Sequence, residues 1–444
     1  MNSKVWLISL FSATMLTESV QADDYRTPRA GEEYHTELWG MSATAPKRDR
    51  RRVTALSLGL NYIPDGPSSP VVLPFGGALL FPNEQSKGQD IFQPLGALYL
   101  WRQAEDNKQR FRGVISGLYN DLRYNFAPEF MHGPEFVFTF ENLTIPIGRP
   151  EYVEGESIDP VELEWYYVRA GLGLGYRTPI GPGHQDNAFE LALTYEPGYL
   201  WFDRSSDTAQ NFITPQDTYE GRVHFRLRAD ALERNILELA HQGWSTGLDL
   251  VYGHRNNWEN WGEPQLGSSR AGAQQDYFAA SAYMVAADSI PGVKSERHRL
   301  IASAYAGIGK NLDRFSAFRL SSRPNAWEWD TLSIPDLPGT VFGEFYSRSY
   351  GLIDLRYRYE ALFFVYPYLR GSLAWIDRPR FKDNGQVGNQ MDSLPSLGAG
   401  LVSGAPGNSE VALDYSYNFG ILRNSGGGPQ FGGHSVILSW SMEF

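Results

Sequence analysis

The chain has 444 residues, with 39 Lys and Arg against 51 Asp and Glu and a formal net charge of -12, which excludes a nucleic-acid partner because phosphate binding needs a basic footprint. It contains no cysteine, so disulfides contribute nothing to its stability. Aromatic residues are abundant (25 Tyr, 25 Phe, 12 Trp), and beyond the amino terminus no apolar run reaches the ~18 residues of a helical membrane span.

Residues 1–22 have the form of a cleavable secretory signal. Lys4 opens a short basic start, Val5 to Leu16 is apolar, and Val20-Gln21-Ala22 precedes Asp23-Asp24. Glu18 is atypical of that region, and the apolar stretch is too short to cross a bilayer as a helix. The mature chain is expected to begin near Asp23, outside the cytoplasm. Residues 23–50 are polar and end in the basic run Lys47–Arg52, too short for a folded domain, and read as a periplasmic tail or plug. From residue 51 to 444 no shift in composition and no linker marks a boundary, so one domain is expected.

That domain repeats one pattern. Thr54–Tyr62 alternates Leu56, Leu58, Leu60 and Tyr62 with Ala55, Ser57, Gly59 and Asn61. In a strand, successive side chains point to opposite faces, so this is a ribbon with one apolar side. The same alternation recurs at Val114–Asn125, Tyr166–Arg177, Phe189–Phe202, Tyr219–Asp230, Trp244–His254, Gln274–Ala287, Arg299–Gly309, Leu352–Glu360, Val365–Ile376 and Glu410–Leu422. Leu95–Arg102, Phe136–Leu143 and Pro395–Ser403 show it weakly. Stretches rich in Gly and Pro at Pro64–Pro74, Ser206–Pro215, Trp258–Arg270 and Pro379–Pro395 read as loops.

The ribbon closes the chain as well. Val436, Leu438, Trp440, Met442 and Phe444 share one face, opposite Ser435, Ile437, Ser439, Ser441 and Glu443. An apolar terminus of this kind is packed or membrane-embedded. Strands in globular proteins average about five or six residues, whereas a tilted strand crossing a bilayer needs about nine to eleven. Aromatics also cluster at the ribbon ends (Tyr62, Tyr176, Trp201, Trp244, Tyr252, Trp375, Trp440), as interfacial girdles require. Long amphipathic strands behind an export signal predict an all-β, antiparallel transmembrane barrel in a Gram-negative outer membrane. Chain length divided by ~24 residues per strand and loop gives about sixteen strands, with fourteen or eighteen open. The alternative is a soluble sheet with one wetted face.

No catalytic, cofactor or metal site is expected. Gly171, Gly173 and Gly175 hold alternate strand positions and make room or curvature rather than a nucleotide loop. Asp383-Asn384-Gly385 reads as a turn, lacking the further spacing of a calcium loop. The histidines at 35, 132, 184, 224, 241, 254, 298 and 434 are dispersed without metal spacing. His132, His241, His254 or His298 would be the candidates if the barrel carried a hydrolase site. The clearest functional handle is charge on the inward face: Glu220, Arg222, His224, Arg226, Arg228 and Asp230 on one wall, Asp354, Arg356, Arg358 and Glu360 on another. Such rows either set pore selectivity or pair across strands and fill a narrow lumen.

From Leu300 onward, Phe318-Arg319-Leu320-Ser321-Ser322 resembles the Phe-x-Leu-Gly-Gly found in barrels of the Omp85 / bacterial surface antigen superfamily, with serines in place of the glycines. Tyr357-Arg358-Tyr359 resembles its Tyr-Arg-Phe, and Trp375-Ile376-Asp377 its Phe-x-Asp-x-Gly, although Arg378-Pro379 follow where a Gly would stand. Leu397-Gly398-Ala399-Gly400-Leu401 matches its Gly-x-Gly strand, and the Phe444-terminated strand completes the series. The resemblance implies sixteen strands and a long loop folded into the barrel, with Arg348-Ser349-Tyr350 nearest to the loop's Arg-Gly-Phe/Tyr and Asp377 its counterpart. Residues 23–50 leave no room for the family's periplasmic POTRA domains. By the same resemblance, a non-enzymatic barrel is expected, one that passes a client across the outer membrane or inserts it there. Its partners would be outer-membrane lipid and lipopolysaccharide, the assembly machinery that reads the last strand, and a periplasmic protein. One alternative is a diffusion or export channel for an anionic solute or polysaccharide with an Arg-lined lumen; another is a barrel hydrolase.

Overall fold

Alternation of apolar and polar residues makes each strand bury one face only, and in hydrocarbon the backbone of such strands is satisfied only by closing the sheet. The computed structural model describes residues 25–444 apart from 39–40, 46, 65–90, 118, 131–132, 145–148, 183–186, 263–273, 323–330, 341–343, 382–386 and 426–427. Sixteen antiparallel strands among these residues close into a barrel. They are β1 (Arg52–Ile63), β2 (Ile91–Gln103), β3 (Gln109–Ile115), β4 (Tyr119–Phe126), β5 (Pro134–Leu143), β6 (Glu156–Pro179), β7 (Ala188–Asp203) and β8 (Thr218–Arg234). The second half comprises β9 (Ala240–Arg255), β10 (Asp276–Ser289), β11 (His298–Lys310), β12 (Ser349–Tyr359), β13 (Val365–Phe381), β14 (Val387–Ala405), β15 (Ser409–Ser425) and β16 (Gly428–Glu443). The last strand pairs with the first, from Val436 opposite Tyr62 to Glu443 opposite Ala55.

Two loop and strand expectations are corrected. Val114–Asn125 is a hairpin rather than one ribbon: Gly117, at φ +82°, turns the chain between β3 and β4. Pro379–Pro395 is mostly strand, because Pro379 and Pro395 lie within the β13–β14 ladder opposite Asn389 and Leu373. The signal segment, His132, His184 and the Asp383-Asn384-Gly385 turn lie outside the described residues. Gly171, Gly173 and Gly175 leave space that Thr139, Thr194 and Val137 occupy.

The outward face carries Leu58, Phe138, Leu172, Leu174, Leu193, Met284, Ile353, Leu355, Leu369, Leu397, Leu413 and Leu438, each more than a third exposed. A contiguous apolar band on a closed barrel is the surface that lipid covers. Tyr176, Tyr199, Tyr219, Trp244, Tyr252 and Trp375 are exposed near the strand ends, at the level of the interfaces. Leu438 of β16 and Phe444 just beyond it face outward, while Ser435, Ile437, Ser439 and Ser441 are buried on the inner side. The strand β1 starts and β16 ends where the short connections 104–108, 235–239, 360–364 and 406–408 lie, which is the periplasmic end of such barrels. The long connections 204–217, 256–275 and 311–348 lie at the other end.

Candidate functional site in the barrel lumen

The interior is filled by three layers. Near the extracellular mouth, Trp165, Tyr167, Leu200, Phe202, Trp258, Trp261 and Phe315 form a buried aromatic cluster. Rings such as Phe202–Phe315 (4.8 Å) and Trp258–Phe315 (5.7 Å) meet edge-on, the arrangement their quadrupoles favour.

The second layer is formed by the described residues between β11 and β12 (311–322, 331–340 and 344–348), which fold into the barrel. Its two arms pair at Phe318–Leu320 and Phe345–Ser347. Leu320, Leu337 and Phe345 pack against Leu352, Ala374, Ile376, Leu394 and Ile421 of the wall. Polar anchors then reach across the lumen. Asn418 of β15 donates to Pro338 O (2.9 Å), Gly339 N to Ser435 Oγ of β16 (3.2 Å), and Asn61 of β1 to Thr340 O (3.2 Å). Arg423 of β15 holds the Glu344 carboxylate (3.0 Å to Oε2) and Gly339 O (2.8 Å), with both ionic side chains 2% exposed. Gly339 sits at φ +82°, and a Cβ there would stand 2.8 Å from Asn418 Cβ, so only glycine allows this approach. Arg370 of β13 binds Asp336 (2.6 Å), and Arg255 of β9 binds Asp313 (2.6 Å).

The structure brings Arg348 and Asp377 together, Nε to Oδ2 at 2.9 Å, with the Arg348 side chain 43% exposed. A pair this open contributes little to stability, about 1 kcal/mol or less. Arg348→Ala should therefore shift the urea unfolding midpoint only slightly. A large destabilisation would show that the pair locks the segment rather than merely closing its base.

The charges expected on the inner walls all face the lumen or its periplasmic mouth, yet they do not form two bare rows. Glu220 lies between Arg169 (2.7 Å) and Arg255 (2.9 Å), and Arg222 meets Glu196 (3.0 Å). His224 contacts Glu196 (3.1 Å) and Asp249 (2.8 Å), and Asp249 also takes Arg226 (3.2 Å) and Arg228 (2.6 Å). Asp230 pairs with Arg234 at the periplasmic end (2.5 Å). On β12, Asp354 binds Arg370 (2.7 Å), Arg356 lies over the Tyr368 ring (4.8 Å), and Arg358 donates to Ala240 O. Glu196, Asp249, Arg169, Arg255 and Arg370 were not singled out from the sequence. The signal was present in register: Glu196 opposes Arg222, and Arg226 opposes Asp249, at inward positions of neighbouring strands.

The third layer is residues 25–50 at the periplasmic mouth. Arg29 binds Glu233 (2.7 Å) and Glu296 (3.1 Å), and its backbone bridges Asn235. Thr27 donates to Glu296 (3.0 Å) and Glu360 (2.5 Å), and Tyr25 donates to Glu360. Arg50 grips Glu238 through two bonds (2.8 and 2.6 Å). A hairpin of Tyr34–Leu38 with Met41–Ala45 packs on Leu237, Phe363 and Tyr366. Burial pushes the Glu296 carboxyl up, but hydrogen bonds from Arg29 and Thr27 with the charges of Arg29 and Arg299 hold it below its ordinary value. Glu32 is lowered in the same way, its burial outweighed by Arg29 and Arg26. Glu360 is raised by burial that its bonds from Thr27 and Tyr25 only partly offset.

Among the hydrolase candidates, His254 pairs with Asp276 (2.9 Å), beside Tyr252, which is exposed at the outer end of β9. His241 contacts Arg299, and His298 accepts or donates to Tyr357 (2.8 Å). These are separate sites that assemble no common cleft.

A closed sixteen-strand barrel with an apolar outer band and a filled interior defines an integral β-barrel of the Gram-negative outer membrane. No family model and no curated protein matches the chain. Solved structures similar to it include CdiB from Acinetobacter baumannii (10% identity, 94% of this chain, 66% of that one, TM-score 0.43). CdiB from Escherichia coli gives 12% identity over 95% of this chain and 69% of that one, with a TM-score of 0.46. BamA from Haemophilus ducreyi lacking POTRA domains 1-3 gives 10% identity, 98% and 78% coverage, and a TM-score of 0.48. The chain thus spans about two thirds of the length of the first two, and the likeness is one of fold.

Proposed function

We propose that this protein is a plugged, non-enzymatic outer-membrane barrel that passes a client polypeptide across the membrane or inserts it there, using the β1–β16 seam. The observation that carries this reading is where the lumenal segment is tied: Gly339 binds Ser435 of β16 and Thr340 accepts from Asn61 of β1, so one loop holds both edges of the seam. That seam has eight register pairs, fewer than the fourteen between β15 and β16 but more than the six of β2–β3 and the seven of β3–β4. Ladder length alone does not single it out; the shared anchor does, because moving the segment would free both of its edges at once. In this reading the outer face meets lipid and lipopolysaccharide, the β16 strand is what the assembly machinery reads, and a periplasmic partner meets residues 25–50.

The chain lacks cysteine, so a seam lock is clean. Ser57 and Ser441 face each other with their Oγ atoms 2.9 Å apart. Ser57→Cys with Ser441→Cys, oxidised in the cell, should give a barrel that assembles normally but alters the outer-membrane protein profile as a deletion does; reductant should reverse the change. A locked barrel that fully replaces the reduced one overturns seam transfer. In planar bilayers the native chain should show only brief, small conductances. A large, steady, ion-selective pore would instead establish a channel, and Arg226→Glu with Arg228→Glu should then invert its selectivity.

A further inference from the structure

Arg112 of β3 and Arg123 of β4 stand directly opposite each other across their ladder. Like charges facing each other on neighbouring strands repel. Both point into the lumen and both are only 6% exposed. A similar pair, Arg356 opposite Arg370, is compensated inside the same barrel, because Arg370 meets Asp354 at 2.7 Å and Asp336 at 2.6 Å. At β3–β4 it is Arg123 that lacks such compensation. Arg112 reaches Asp121 at 3.4 Å, but among the described residues no carboxylate lies within ion-pair distance of Arg123, whose Nε donates to Asn125 at 3.2 Å. Glu190, a carboxylate of the same interior, is already bound to Arg110. A guanidinium nine-tenths removed from water beside its own sign of charge is costly unless an anion completes the site.

Asp121, inward beside them on β4, keeps 35% of its side chain accessible, and inward side chains of a closed barrel expose area only to its interior. We propose that Arg112 and Arg123 form a lumenal binding site for a phosphoryl oxoanion supplied as a free solute. A phosphate group carries nearly two negative charges and three strong acceptor oxygens, enough to bridge two guanidinium forks, whereas a carboxylate neutralises one. A lipid headgroup stays at the outer rim, on the far side of the wall from these side chains. The assignment does not depend on client transfer.

Calorimetric titration of the full chain in nonionic detergent tests it, with inorganic phosphate against acetate at matched ionic strength. Phosphate should saturate a single site and bind more tightly than acetate, and Arg123→Gln and Arg112→Gln should each weaken it by about tenfold or more. No saturable binding, or wild-type affinity in both variants, overturns the site. A parallel titration with short-chain phosphatidic acid separates the sources: competition with phosphate that is lost in Arg123→Gln would reassign the site to a headgroup and overturn the free-solute reading. Should the variants fail to fold, phenylglyoxal modification mapped to Arg123 of the native chain gives the answer. Phosphate should slow it at least severalfold relative to acetate, and an unchanged rate overturns the proposal.

Discussion

Arg29→Glu should open the periplasmic mouth, seen as sustained ion conductance in planar bilayers and as new protease cleavage within residues 25–50. Arg29 is 5% exposed at its side chain and joins two carboxylates on separate elements, Glu233 at the end of β8 and Glu296 in the β10–β11 connection. The substitution removes that link and adds a third negative charge. Breaking a buried pair costs about 3–5 kcal/mol, enough to raise an open fraction by roughly two to three and a half orders of magnitude. Conductance and cleavage equal to the native chain would show that residues 25–50 do not bar the path. Acid tests the same contact. Glu296 and Glu32 have lowered carboxyls, so their stabilisation is fully present above the ordinary carboxylate value of about 4.5 and is lost as the pH falls through their folded values. Glu360, raised by burial, acts in the opposite sense. Cleavage of the tail should accordingly rise on acidification below about pH 4.5, and more steeply in Glu360→Gln.

Arg423→Met should be the most destabilising single change in the lumen. It takes the guanidinium away from Glu344, 2% exposed at its side chain, and removes the donor to Gly339 O. A loss of about 3–5 kcal/mol is expected, read as a lower urea midpoint and as proteolysis within residues 311–348. Arg423→Met with Glu344→Met should recover most of that loss, since two apolar side chains can fill the volume of a buried pair. A double variant no better than the single one would place the cost in lost packing instead.

The barrel was legible because its cause is local. Alternation at Thr54–Tyr62 or Tyr219–Asp230 needs no tertiary information, and strand length points to a bilayer. Where a turn interrupts a ribbon the pattern misleads, as at Gly117, whose φ of +82° ends β3 within a stretch that still alternates. Proline misleads in the other direction: Pro395 sits inside β14 although it punctuates the sequence like a loop. The lumenal site was legible only by halves. Arg222 and Arg226 announced themselves on one ribbon, but their partners Glu196 and Asp249 lie on β7 and β9, and register sets those meetings. Arg123, on a short strand among weaker signals, gave no sign of its opposite number. Residues 311–348 carry no periodicity that says "inward", and only the family resemblance suggested it.

The anchors of that segment also fix an order of events. Asn61 belongs to the first strand, Asn418 and Arg423 to the fifteenth, and Ser435 to the last. Asn418, Arg423 and Ser435 follow the segment by 80 to 96 residues and come within reach once β12 to β16 have paired, whereas Asn61 precedes Thr340 by 279 residues and is reached only when the two ends of the sequence meet. Loop-closure entropy around the whole circumference must therefore be overcome before that last contact returns any free energy. The final anchor of the segment is set only as the wall closes. A barrel caught midway through maturation would be leaky, and its tightness would report the final step of folding.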